Sequence, residues 1–159
     1  MFVESHRIIP ECYGDTVFIE VLGYKNPTRA LNINEVLKSL ASRKPNNKSI
    51  GIVDNDKKAQ KFLGQYDLIE SPKKLDILSK IKPYTNHLLI IIKPELEPFL
   101  RNCAQETNIN PSDYGFCDIK LLENACKDFH THKNDRLKNF LNTLKQKQHP
   151  AIVQIQNWI

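Results

Sequence analysis

Apolar positions along this chain follow two rhythms, short unbroken runs and recurrences every three to four residues. Their alternation predicts an α/β fold. The strongest run is His87-Leu88-Leu89-Ile90-Ile91-Ile92, whose lack of polar interruption predicts a strand buried on both faces, as central parallel strands are. Ser49-Ile50-Gly51-Ile52-Val53 predicts a second buried strand, His6 to Pro10 a short first one, and Thr28 to Ile33 a weaker one. Helical spacing fills the intervals. A helix from Asp15 to Leu22 carries Val17, Phe18, Val21 and Leu22 before Gly23 stops it; another buries Val36, Leu37, Leu40 and Ala41 behind an Asn34 cap and closes before Pro45. Lys57 to Leu63 reads as a short helix, and Ser71-Pro72 opens another with Leu75, Leu78 and Ile81 on one face. After Lys93-Pro94-Glu95, residues Leu96, Phe99, Leu100 and Cys103 share a helical face. The last third reads as helical: Ile119 to Phe129, then Leu137, Phe140, Leu141 and Leu144, then Ala151 to Trp158 behind Pro150.

This order predicts a mostly parallel four-stranded sheet with right-handed crossovers, flanked by helices in a Rossmann-like manner. Such a sheet gathers its strand C-termini along one edge, where ligands bind. Three of the four expected strands end in acid: Glu11 after the first, Asp54 and Asp56 after the third, Glu95 and Glu97 after the fourth. Residues two apart in an extended chain point the same way, so Asp54 and Asp56 could face one hard, oxygen-liganded cation such as Mg²⁺. Acid pairs after apolar strands also cap the following helix, and that reading competes with the first.

At 159 residues and 18.4 kDa, the chain suits one domain, 1–159, with a core that needs no staples. No apolar run approaches the roughly 20 residues that cross a bilayer, so no membrane partner is expected. The N-terminus lacks the basic start and apolar stretch of a secretory leader, which makes the cytoplasm the expected location. Cys12, Cys103, Cys117 and Cys126 show no zinc-type spacing and read as free thiols. A metal cluster of Cys126, His130 and His132 is disfavoured, because Cys126 fits the apolar face of a helix. A net charge of +5 and a pI near 9.0 favour acidic partners, nucleic acid first among them. Lys57 and Lys58 follow the acid pair directly, and Lys93 follows the last strand; all three are candidates for phosphate contact. Lys127, Lys133, Arg136, Lys138, Lys145 and Lys147 make the C-terminal third basic, either as phosphate contacts or as solvated helix faces. Phe129, Phe140 and Trp158 sit at core-like spacing, so no base-stacking platform is expected there.

Glu11-Cys12-Tyr13-Gly14-Asp15-Thr16, a strand-ending glutamate with an aspartate four residues on and a helix following, resembles the first motif of the Toprim domain. That module is shared by topoisomerases, bacterial primases, small ribosomal-RNA-maturing ribonucleases and overcoming-lysogenization-defect nucleases. Asp54-Asn55-Asp56 after an apolar strand is similar to the family's second motif, and Lys57-Lys58-Ala59 resembles what commonly follows it in primases. The resemblance covers roughly residues 6–100, leaving 101–159 as a helical C-terminal extension. The pattern departs from the family at Cys12, where glycine is usual, and at Pro10 and Asn55.

The resemblance implies a Mg²⁺- or Mn²⁺-dependent nuclease, or a related phosphodiester-processing subunit, acting on DNA or RNA. Asp54 and Asp56 would be metal ligands, and Glu11 a further ligand or the general acid/base. Glu95 or Glu97 would complete a second metal position, Glu97 being the better match because it opens an apolar helix. Asp15 would support the site. Competing readings are a non-catalytic Toprim-like module that works beside a separate helicase or ATPase chain, a haloacid-dehalogenase phosphatase, and a response-regulator receiver with Lys93 as its late lysine. Lys57-Lys58 stands where the phosphatase expects threonine or valine, and the receiver's acid spacing from Glu11 is poor.

Overall fold

The structure, a computed structural model, describes residues 7–55 and 63–159. Five strands form one mixed sheet: β1 (Arg7–Pro10), β2 (Ser49–Asp54), β3 (Asp67–Glu70), β4 (Ile77–Ile81) and β5 (His87–Ile92), in the spatial order β1-β2-β5-β4-β3. The first three of that order run parallel, while β4 lies antiparallel to both β5 and β3. The helices are α1 (Tyr13–Val21), α2 (Ile33–Ala41), α3 (Leu96–Glu106), α4 (Ile119–Lys127), α5 (Asp135–Gln146) and α6 (Pro150–Trp158). The α/β class and the helical last third stand. A four-stranded, mostly parallel sheet does not.

The correction lies in two segments. Residues 72–81, expected to be a helix with Leu75, Leu78 and Ile81 on one face, instead supply β4, whose register sets Ile77 against Ile92 and Leu78 against Ile91. Leu78 and Ile81 satisfy a three-residue spacing, but Ile77, Ser79 and Ile81 equally satisfy a two-residue one. The tie is broken outside the segment. One edge of β5 is paired with β2, and a buried strand cannot leave the N–H and C=O groups of its other edge unpaired, so β4 closes that edge. Residues 28–33 are not a strand of the sheet either. Thr28 N–H donates to Ile8 O (3.0 Å) and Ala30 N–H to Pro10 O (2.8 Å), so the segment lies along the outer edge of β1 for two hydrogen bonds. It then turns into α2, whose cap is Asn32, accepting from Glu35 N–H at 3.1 Å, and not Asn34. The helix expected from Lys57 to Leu63 lies, Leu63 apart, outside the described residues.

Alternation along the strands splits the core between the two sheet faces. Ile8, Ile50, Ile52, Ile77, Ile90 and Ile92 face α1, α3, α4, α5 and α6, with Phe18 against Phe99 (ring centroids 6.4 Å apart) at the centre. Ile9, Val53, Leu89 and Ile91 face α2 through Val36 and Leu40. Helix α2 approaches β2 closely enough that a Cβ on Gly51 would stand 2.7 Å from Val36 Cγ1 and 2.8 Å from Leu89 Cδ2. Only glycine fits there. The parallel strands β1, β2 and β5 end together, and their C-termini and the start of α3 form one mouth.

Candidate functional site

In-register pairing of Pro10 with Ile52 brings the residue after β1 beside the end of β2. Glu11 N–H donates to Ile52 O (3.1 Å), and Glu11 Oε2 accepts from Asp54 N–H (3.1 Å). Asp54 in turn reaches across to α3, its Oδ1 accepting from Leu96 N–H at 3.0 Å. Glu95 occupies the N-cap position of α3 but makes no side-chain cap bond, so an aspartate from a different strand fills that role. The positive end of the helix dipole favours a carboxylate at this point. Asp54 thus supplies a helix cap, to α3; the helix after β2 that its position suggested it would cap lies outside the described residues.

Two more acids close in from the helix starts. Asp15, in the first turn of α1, is 1% exposed; its Oδ2 accepts from Cys12 N–H (3.3 Å) and from the Cys12 thiol (3.1 Å), while Asp15 N–H donates to Cys12 Sγ (3.4 Å). Cys12, which stands where the Toprim pattern has glycine, thus caps α1 reciprocally with Asp15. Asp15 Oδ1 is buried and has no hydrogen-bond partner among the described residues. Glu97, in the first turn of α3, is buried as well, at 4% exposure.

Burial and mutual repulsion raise the proton affinity of this group. Asp54 is pushed up to about 9, first by desolvation and then by the charges of Asp15, Glu11, Glu97 and Glu95. Asp15 is pushed up to about 7, first by desolvation and then by Glu11 and Glu97, against the lowering effect of the Cys12 hydrogen bonds. Burial also raises Glu97, which Lys127 partly offsets. Burial, and after it the charge of Asp15, drives the Cys12 thiol far above its ordinary range, so it is a capping group and not a nucleophile. Four carboxylates of one sign around a largely dry mouth are relieved by either protons or a cation.

Glu11, Asp15, Asp54 and Glu97 thus interact with one another. Asp56, Lys57 and Lys58 lie outside the described residues. Glu95 is exposed at the rim, and Lys93 is half-buried, its N–H donating to Asp76 O at 2.7 Å. Among the described residues, no three His, Cys, Asp or Glu side chains converge into a ready cation cage. The backbone explains part of this: Glu11 and Asp54 each commit one oxygen to an N–H. The Cys126, His130 and His132 combination likewise does not assemble, for Cys126 is buried against Gly14 while both histidines are exposed. All four cysteines are free thiols. Among the described residues, no helix is long and apolar enough to cross a membrane.

No family model matches the chain, and no curated protein or solved structure is significantly similar to it. Residue chemistry and geometry therefore carry the functional argument. A hollow of about 380 Å³ between α2 and the β3–β4 side, lined by Leu37, Ala41, Tyr66 and Lys82, includes none of the acids. It is separate from the mouth.

One feature beside the mouth runs against expectation. The Arg29 guanidinium lies 4.0 Å over the Tyr13 ring, Tyr13 meets Phe129 edge-on at 5.8 Å, and Phe129 meets His130 edge-on at 5.1 Å. Phe129, expected in the core, is 65% exposed. The helix that sequence spacing extends to Phe129 stops at Lys127, and Asp128 adopts an extended conformation that carries Phe129 off the buried face. Residues 13, 29 and 129 are too far apart in sequence for any spacing rule to group them. The Asp-x-x turn signal at Asp128 was the only local hint.

Proposed function

We propose that this chain is a metal-dependent nuclease, or the nuclease subunit of a larger assembly, cleaving phosphodiester bonds of DNA or RNA at a Toprim-like acidic mouth. The observation that carries the reading is the hydrogen bond from Asp54 N–H to Glu11 Oε2. It ties two strand-ending acids, 43 positions apart in the chain, at the C-terminal edge of adjacent parallel strands. The donors fit the chemistry: all are hard oxygens, one buried aspartate oxygen has no partner among the described residues, and the set favours Mg²⁺ or Mn²⁺ over softer ions. When bound, such an ion stabilises charge that builds on the phosphate oxygens during displacement.

The roles of the chain's own groups follow. Asp54 and Asp56 are the metal ligands, joined by Glu11 and Glu97. Asp15, held by Cys12 in the capping box that starts α1 directly after Glu11, supports the site. Asp54, which burial and its acidic neighbours keep protonated at neutral pH, would have to release that proton to hold a cation, and Glu11 would serve as a ligand or accept the proton of the attacking group. Lys57, Lys58 and Lys93 bind phosphate.

A second reading is a non-catalytic Toprim-like module that works through a partner ATPase or helicase. One observation favours it: among the described residues the acids do not form a three-ligand cage. The two separate in a nuclease assay on single- and double-stranded DNA and RNA with Mg²⁺ or Mn²⁺. The expected result is metal-dependent cleavage by the wild type, lost by about 10²-fold or more in Asp54→Asn and Glu11→Gln, with circular dichroism unchanged. Absence of cleavage together with no calorimetric cation binding would select the module. Phosphate release from small phosphoesters would select a phosphatase.

A further inference from the structure

A single exposed ring is ordinary on a protein surface, but a ring held in place by its neighbours beside a charged site is positioned to meet a ligand. Phe129 is such a ring, and its presentation is built and not incidental. His130 N–H donates to Asp128 Oδ1 (2.7 Å), and the hydroxyl of buried Thr131 donates to Ala125 O (2.7 Å) and to Asp128 O. These bonds fix the turn that carries Phe129, while the edge of Tyr13 fixes the ring from the side. Tyr13 itself opens α1 two residues after Glu11 and carries Arg29 over its face. Behind the platform, α4 is locked to α1, since Cys126 Cβ lies 2.7 Å from where a Cβ on Gly14 would be. Exposed Lys127 and Lys133 flank Phe129 in the chain, and the one acid between them, Asp128, spends a carboxylate oxygen on the His130 N–H.

We infer that Arg29, Tyr13, Phe129 and His130 form a stacking platform that holds an unpaired base of a single-stranded nucleic acid next to the acidic mouth. This rests on the nuclease reading above and names its substrate class. Base faces in a duplex are covered by their neighbours, whereas an unpaired base offers a π-face to an aromatic ring irrespective of its identity. Arg29 and Lys127 supply the phosphate contacts that a ring cannot, and Lys127, whose charge also acts on Glu97, connects the platform with the mouth. A protein ligand would be held at the same place by apolar contact, with no requirement for a π-face.

The test is fluorescence anisotropy with labelled 12-nucleotide single strands and a matched hairpin duplex, in EDTA so that cleavage plays no part. The wild type binds the single strand more tightly than the duplex. Phe129→Leu, which keeps an apolar side chain without a π-face, weakens single-strand binding roughly five- to a hundred-fold, and Phe129→Trp retains it. Equal affinity of wild type and Phe129→Leu, or preference for duplex, overturns the platform. Because Phe129 is largely exposed, unchanged thermal unfolding in both variants is expected, and loss of folding in Phe129→Leu would mean the ring is structural. The nuclease reading fails separately, when no nucleic acid is cleaved with Mg²⁺ or Mn²⁺ and Asp54→Asn changes nothing.

Discussion

Asp54 concentrates the tension of this molecule in one side chain. Its carboxylate accepts a helix N–H, which favours charge, yet burial and four acidic neighbours favour the proton, and the second effect wins. The folded chain therefore holds a proton on Asp54 that an unfolded chain releases near 3.8, and keeps it up to about 9. Between those values the native state binds more protons than the unfolded state, so stability contributed by this group is complete below the lower value and declines as pH rises through the higher one. Asp54→Asn is expected to flatten the fall of the melting temperature between about pH 4 and 9, and to leave the variant more stable than wild type at the alkaline end. Thermal melts across that range check it, and an unchanged slope would mean the charge on Asp54 is relieved by something else. On the proposed cation-binding reading, Mg²⁺ added to the wild type should raise the melting temperature most at high pH, where no proton competes for Asp54.

Helix termini carry much of the specificity at the scale of single elements. α3 is capped from another strand by Asp54, α1 by a cysteine, and α6 by His149, whose Nδ1 accepts from Ala151 N–H (3.1 Å) while Nε2 meets Glu106 Oε2 at 2.5 Å. Cys103 Sγ lies 3.5 Å from the same Nδ1, giving a cysteine–histidine–glutamate row. Burial pushes the Cys103 thiol up to about 12 and Cys103 is 1% exposed, so the thiol is inert and the row fastens α3 to α6, with only its Glu106 end at the surface. His149→Ala removes the cap and the bridge to Glu106 together. It is expected to cost about 1–3 kcal/mol in urea unfolding while leaving cation binding at the mouth unchanged. Borrowed caps did not obscure the helix ends: α3, capped from β2, begins at Leu96 where its apolar face does, while α1 and α2, capped by the local residues Cys12 and Asn32, begin earlier than their apolar patterns suggest. For α2 the cap lay two residues earlier than the apolar pattern suggested, because Asn32 follows the segment bonded to β1 and not the first buried residue.

One hydrophobic cluster joins the sheet to all the helices on the α3 side. Leu122, Phe140, Leu144 and Ile152 from the C-terminal third belong to the same buried cluster as Ile50, Ile52 and Ile90. Residues 101–159, which the motif pattern left as an extension, therefore supply part of the wall of the central core. A chain ending after Glu106 would expose that wall, and is expected to give neither a cooperative thermal transition nor cation binding. A sharp transition from the shortened chain would show instead that the motif-bearing part folds alone.

Local periodicity was enough to reveal the buried runs that became β2 and β5, the helical faces of α3, α5 and α6, and the acids that follow β1 and β2, because which face a side chain presents depends on its near neighbours. Periodicity could not reveal that 77–81 pairs with β5, that Phe129 leaves its helix, or that Tyr13 and Arg29 meet it. Those outcomes depend on which backbone edge or ring stands opposite, and the partners lie 7 to more than 100 residues away. The mouth itself combines both. Each carboxylate was legible from its place after an apolar run, but the bond from Asp54 N–H to Glu11, and the burial that pushes Asp54 up to about 9, exist only once β1 and β2 are paired in register.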